Sequence, residues 1–245
     1  MIRPITAALF ATSLLCAPAL AQSVPPAIAA AVADTARPDT DKERDANRKP
    51  GETMAFAGVK PGMVVAELAP GRGYYTRLLA KAVGPKGQVL ALVTPGQAAR
   101  PGGLDALNAL AAAYPNIKVV TVEYPTMMLP EKADLFWTTE NYHDFHNGPT
   151  ADIAGLDKAV FNNLKPGGIF YVEDHRAADG AGLAATSKNH RMDVAVAKSE
   201  LTAAGFTLDA EGDLLHNPAD DRAAGNSETG HFVSDRFMLR MKRPK

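Results

Sequence analysis

The sequence predicts an α/β protein built on a doubly wound, Rossmann-like, mostly parallel sheet. Three observations carry this. Apolar runs of strand length alternate with segments of helical period, the junctions are punctuated by Gly and Pro, and the final two strand-like segments follow each other without a helix between them. Strands alternating with helices form a parallel sheet covered on both faces, whereas two consecutive strands pair antiparallel at one edge.

The elements follow in order. A first strand over 63–68 ends in Gly and Pro, and a helix over 74–83 is stopped by Gly84-Pro85. A second strand spans 88–93, a helix 104–114 is closed by Pro115, and the β-branched run 117–122 makes a third strand. A fourth strand covers 133–138, a helix 153–164, and a fifth strand 169–172, entered through the turn Lys165-Pro166-Gly167. Val194, Ala197, Leu201 and Ala204 mark a last helix capped by Gly205, followed by strands within 206–215 and 231–241. Trp137 and Phe136, at the end of the fourth strand, are core candidates.

The 245 residues are 46% apolar, and 26 Lys and Arg balance 27 Asp and Glu to a net charge of −1. These values describe a globular domain with one sizeable core, and they supply no electrostatic basis for a nucleic-acid or membrane-surface partner. Residues 1–21 have the pattern of a signal peptide: Arg3, an apolar stretch too short to span a bilayer, and the small residues Ala19 and Ala21 around Leu20. Cleavage is expected after Ala21, with export to the periplasm or beyond. It would remove Cys16, the one cysteine, and leave no membrane segment. Residues 22–49, with small apolar side chains and dense charge, read as a linker with surface helices, and 50–245 as the functional domain.

The first strand runs into Glu67-Leu68-Ala69-Pro70-Gly71-Arg72-Gly73-Tyr74, a glycine-bearing turn that opens a helix. Glycine there lets a ligand approach the backbone, and the helix N-terminus offers unpaired N–H groups. Tight strand-to-helix corners use the same glycines. The turn is not a dinucleotide fingerprint, because Thr76 stands where GxGxxG needs its third glycine.

This turn together with VVAELAPGRGYYTRLLAKAVGPKGQVLALV (64–93), ADLFWT (133–138), NNLKPGGIFYVEDH (162–175) and the AAGF helix end resembles the class I S-adenosylmethionine-dependent methyltransferases. More narrowly, it resembles the exported proteins of Gram-negative bacteria described as predicted methyltransferases. The resemblance implies a seven-stranded sheet whose last strand inserts antiparallel, S-adenosylmethionine as cofactor, and methyl transfer to a small-molecule substrate. Among the cofactor-binding positions it implies, Glu67 matches the acidic residue at the end of the first strand, Ala69 the first glycine position, Gly71 and Gly73 the loop beneath the methionine part of the cofactor, and Glu123 the acidic residue near the adenine. Two positions depart from the family pattern. Ala69 replaces the first glycine, and Val93 stands where a carboxylate normally accepts from the ribose hydroxyls. Each charge-assisted bond lost there costs about 1.5–3 kcal/mol.

Ligands of doubly wound sheets sit outside the carboxyl ends of the strands. The fourth strand leads there into Tyr142-His143-Asp144-Phe145-His146, and the fifth into Glu173-Asp174-His175. Tyr142, His143 and His175 are therefore expected to shape the acceptor side, with a histidine as general base. The same His and carboxylate groups suit a divalent ion, although the HxxH spacing assigns no ligand, and His190-Arg191 opens the last helix near the same rim. The polar stretch 217–230 is a candidate lid. Two other readings remain: an accessory or binding protein that kept the fold without its cofactor chemistry, and a metal-dependent hydrolase or lyase.

Overall fold

The computed structural model describes residues 23–226 and 234–245. The signal-peptide segment and His231 lie outside them.

Seven strands form one sheet: β1 (Val64–Leu68), β2 (Gln88–Val93), β3 (Ile117–Thr121), β4 (Ala133–Thr139), β5 (Leu164–His175), β6 (Thr207–Gly212) and β7 (Arg236–Lys242), in the spatial order β3-β2-β1-β4-β5-β7-β6. β7 lies antiparallel to both of its neighbours, and the other strands run parallel to one another. The chain returns to the middle of the sheet after β3, so β1 pairs with β2 on one side and β4 on the other. This reversal leaves a crevice above the carboxyl ends of β1 and β4.

Alternating side chains serve two cores, which explains why the strands read as unbroken apolar runs. Val65, Val89, Ala91, Leu135 and Trp137 face one layer. That layer contains α4 (Pro50–Ala57), α5 (Tyr74–Val83) and α7 (Asp105–Ala113). Ala66, Leu90, Leu92, Phe136 and Phe170 face the other, which holds α8 (Ile153–Asn163) and α10 (Val194–Ala203). Trp137 is fully buried between Tyr75 and Tyr171, at ring-centroid distances of 4.8 and 4.4 Å. It is core and not a wall of the crevice.

Helix boundaries follow local chemistry. Asp152 and Asp193 accept from the Gly155 and Ala195 backbone N–H groups at 2.8 and 2.9 Å, capping α8 and α10. Gly205 stops α10 at φ 111°. The turn Lys165-Pro166-Gly167 interrupts β5 instead of preceding it. Ala133 pairs with Leu164 and Leu135 with Ile169, so the extra residues bulge out of the ladder. Glu173, Asp174 and His175 consequently belong to β5 and pair with Met238, Phe237 and Arg236 of β7.

Residues 26–48, read from the sequence as a linker with surface helices, form three short helices that pack on the rest of the domain. α1 (Pro26–Val32) buries Ile28 and Ala31 against α5, and α2 (Asp39–Lys42) and α3 (Asp45–Arg48) follow it. The dense charge that suggested a solvated face is paired within the fold. Arg37 meets Asp45 at 2.6 Å, Arg77 meets Asp41, and Lys81 meets Asp34 at 3.1 Å. Among the described residues, no helix is long and apolar enough to cross a membrane.

Candidate cofactor cleft and acceptor rim

A cavity of about 1250 Å³ opens above β1, β2, β3 and β4. Ala69, Gly71 and Arg72 line it from the first turn, Thr94 and Gln97 from the end of β2, and Glu123 from the end of β3. Gly71 is at φ 60°, and a Cβ there would meet nothing within 4 Å, so the glycine faces open space. Gly73 has another task. A Cβ on it would lie 2.2 Å from Leu110 Cδ1, so its bareness lets α7 pack against the start of α5.

Glu67 lies beneath this turn and does not line the cavity. Its carboxyl oxygen accepts from Thr76 Oγ1 at 2.6 Å, and burial pushes its pKa up to about 8 against that hydrogen bond. Ala69 takes the left-handed conformation, φ 47°, of the glycine it replaces. Tyr124, which sequence reasoning missed, holds the strand ends together. Its hydroxyl accepts from Ala69 N–H at 3.0 Å and donates to the Leu92 carbonyl at 2.9 Å. An aromatic residue directly after the acidic end of β3 is the signal that marks it.

The loop after β4 lines the cavity with Asp144, Phe145, Asn147 and Asp152. His143, in the short 3-10 turn His143–His146, is buried, with Nδ1 turned into the protein and Nε2 3.3 Å from Asp144 Oδ1. Its Nδ1 lies 2.8 Å from Asp174 Oδ1, and its backbone N–H donates to Asp174 Oδ2 at 2.6 Å. Burial opposes the imidazolium, but the charge of Asp174 and contacts with Asp144 and Asp174 outweigh it and raise the pKa to about 10. Burial likewise disfavours ionisation of Asp144, yet His143 and His190 hold its carboxyl below the usual range. Tyr142 is fully buried, its hydroxyl donating to Asp157 at 2.9 Å. His175 is fully buried, with Nδ1 2.6 Å from Ser234 Oγ.

These placements correct the acceptor-side assignment. Tyr142, His143 and His175 lie along the right loop and strand, but their side chains enter the protein and Asp144 faces the cavity instead. His146 Nε2 turns to Glu200 at 3.0 Å, which separates it from His143. Glu173 meets Arg236 at 2.9 Å, and Arg236 and Arg48 both bind Glu140. Glu173 is thus part of an internal ion network that fixes α3 over the sheet end. Arg191 is fully buried against Asp220 at 2.9 Å and stands in the core, not over the cavity.

No family model and no curated protein matches the chain. Solved structures do match. A SAM-dependent methyltransferase from Aquifex aeolicus is 16% identical, with a TM-score of 0.57 over 84% of this chain and 98% of that one. An S-adenosylmethionine-dependent methyltransferase from Mesorhizobium loti is 18% identical, with a TM-score of 0.56 over 82% and 100%. A third, described as a possible exported protein from Bordetella parapertussis, is 17% identical, with a TM-score of 0.52 over 84% and 68%. The chain has the class I methyltransferase fold.

The cleft of this chain is large enough for a nucleoside ligand, because small-molecule sites run ~300–1,000 Å³ and the cavity exceeds that range. Gly71 leaves the backbone open to close approach. Val93 is fully buried, and the polar groups nearest in sequence that line the cleft are Thr94 and Gln97. The Thr94 hydroxyl accepts from Gln97 N–H at 3.2 Å, capping the short helix Pro95–Ala98. A donor and acceptor set stands at the cleft without the carboxylate.

Proposed function

We propose that this protein is an exported S-adenosylmethionine-dependent methyltransferase acting on a small molecule. One observation carries the reading: the turn through Gly71 borders an open cavity at the point where the strand order reverses. The likeness to methyltransferases in fold supports it.

S-adenosylmethionine would supply an electrophilic methyl group on its sulfonium. The chain's own part is alignment and desolvation. Ala69 and Gly71 would border the methionine portion, Thr94 and Gln97 the ribose hydroxyls, and Glu123 the adenine. Asp144, which lines the cavity from the loop after β4, would hold the acceptor and take its proton. His143, as an imidazolium between Asp174 and Asp144, orients that carboxylate and does not act as the base.

Calorimetric titration of S-adenosylmethionine into the purified protein tests this. One site per chain is expected, weakened at least tenfold by Gly71→Leu; no heat at millimolar ligand overturns it. Buried Val93 favours a second reading, an accessory protein that keeps the fold and has lost turnover. Ligand binding with no S-adenosylhomocysteine formed from any acceptor offered would select it.

A further inference from the structure

The geometry points to a divalent transition-metal site at the rim of the cavity, formed by His143, Asp144 and His190. Each residue offers one ligand atom, and the three atoms lie within 4.8 Å of one another. His143 Nε2 stands 3.3 Å from Asp144 Oδ1, and His190 Nδ1 stands 3.4 Å from the same oxygen.

Those separations are long for charge-assisted hydrogen bonds, which close to ~2.7–2.9 Å. They match the edge of a metal tetrahedron. With metal–nitrogen and metal–oxygen bonds of ~2.0–2.2 Å, neighbouring ligand atoms stand about 3.3–3.5 Å apart. Two imidazoles and one carboxylate form a donor set for zinc and its first-row neighbours, leaving a coordination position open.

The surroundings add an independent argument. Asp174, with none of its side chain exposed, holds His143 by Nδ1 at 2.8 Å and leaves Nε2 facing Asp144. A carboxylate on the far nitrogen is the arrangement that fixes the tautomer and direction of metal-binding histidines. His190 is placed by different means. It closes the helix Ala184–Asn189 in the left-handed conformation, φ 50°, and its carbonyl accepts from Asn226 Nδ2 at 3.1 Å. Asp144 and His190 are about half exposed, with 52% and 47% of their side chains open, so an ion can enter and keep a water or substrate ligand. Asp144 also lines the cavity, which puts that open position at the edge of the cleft.

The inference stands apart from the methyl-transfer reading, because the metal is titrated without S-adenosylmethionine. Untagged, chelator-treated protein is titrated calorimetrically with Zn²⁺, and Co²⁺ is followed by its visible absorption. One Zn²⁺ per chain and the strong visible bands of tetrahedral Co²⁺ are expected. His190→Ala and Asp144→Asn, both at exposed positions, each weaken zinc binding at least tenfold, and Asp174→Asn weakens it about 10–100-fold through the orientation of His143. His216→Ala, at a histidine paired elsewhere with Asp235, leaves it unchanged. Circular dichroism checks that every variant is folded. No binding at millimolar zinc, or binding that His190→Ala and Asp144→Asn leave intact, overturns the inference.

Discussion

The Tyr124 hydroxyl accepts from the Ala69 backbone N–H at 3.0 Å and so links the end of β3 to the turn after β1. Its own proton goes to the Leu92 carbonyl, which makes one side chain the clasp for three strand ends. Tyr124→Phe removes the clasp and leaves a donor and an acceptor without it. Loss of about 1–3 kcal/mol is expected. Chemical denaturation should record this as a lower midpoint with an unchanged slope, since the surface exposed on unfolding stays the same.

Gly71 and Gly73 sit two residues apart at positive φ and should respond differently to alanine. Gly71→Ala pays the left-handed backbone strain, about 1–2 kcal/mol, and puts its methyl into open space at the cavity. Gly73→Ala adds a clash at 2.2 Å with Leu110 Cδ1, and overpacking costs a further ~1–3 kcal/mol. Thermal unfolding should therefore rank Gly73→Ala well below Gly71→Ala. Leu110→Ala in the Gly73→Ala background should recover part of the loss; strict additivity would show that the clash is not the cause.

Glu67 makes stability depend on pH. Burial raises its pKa from 4.5 to about 8, so the folded protein keeps a proton that the unfolded chain releases. Stability falls as pH rises through that interval and levels off above it. Glu67→Gln, which stays neutral and preserves an acceptor for Thr76, should flatten this part of the profile in urea denaturation at successive pH values. An unchanged slope in the variant would mean that Glu67 ionises normally in the fold.

His143 acts in a higher window. Its folded pKa, raised to about 10 from 6.5, gives stabilisation that is complete below about pH 6.5 and lost as pH climbs toward 10. His143→Gln should be less stable than the parent at neutral pH and should converge on it in alkaline buffer. The imidazole carbon proton signals in NMR provide a direct check, because they should titrate far above the ordinary histidine range.

The architecture is readable because the central strands β1, β2 and β4 are apolar on both faces and most of the longer helices are bounded by Gly, Pro or a capping Asp, all local signals. Residues 74–83 and 88–93 fall where periodicity puts them. Side-chain direction was less readable. The sequence places Tyr142 and His143 after β4, but their burial depends on Asp157 and Asp174, 15 and 31 residues away. His146 is drawn aside by Glu200, 54 residues further on. Long-range carboxylates, with no trace in a local pattern, decide which member of the loop faces the cavity. The charged segment before β1 misleads in a similar way, since Asp34 and Asp41 pair with Lys81 and Arg77 on α5 and Arg48 with Glu140 after β4.

The most direct measurement of the central claim is a crystal structure of the protein grown with S-adenosylhomocysteine. The account predicts density for the ligand in the cleft, its amino-acid end beside Gly71, its ribose by Thr94 and its adenine by Glu123. A cleft without ligand, or a ligand held away from Gly71, would contradict it.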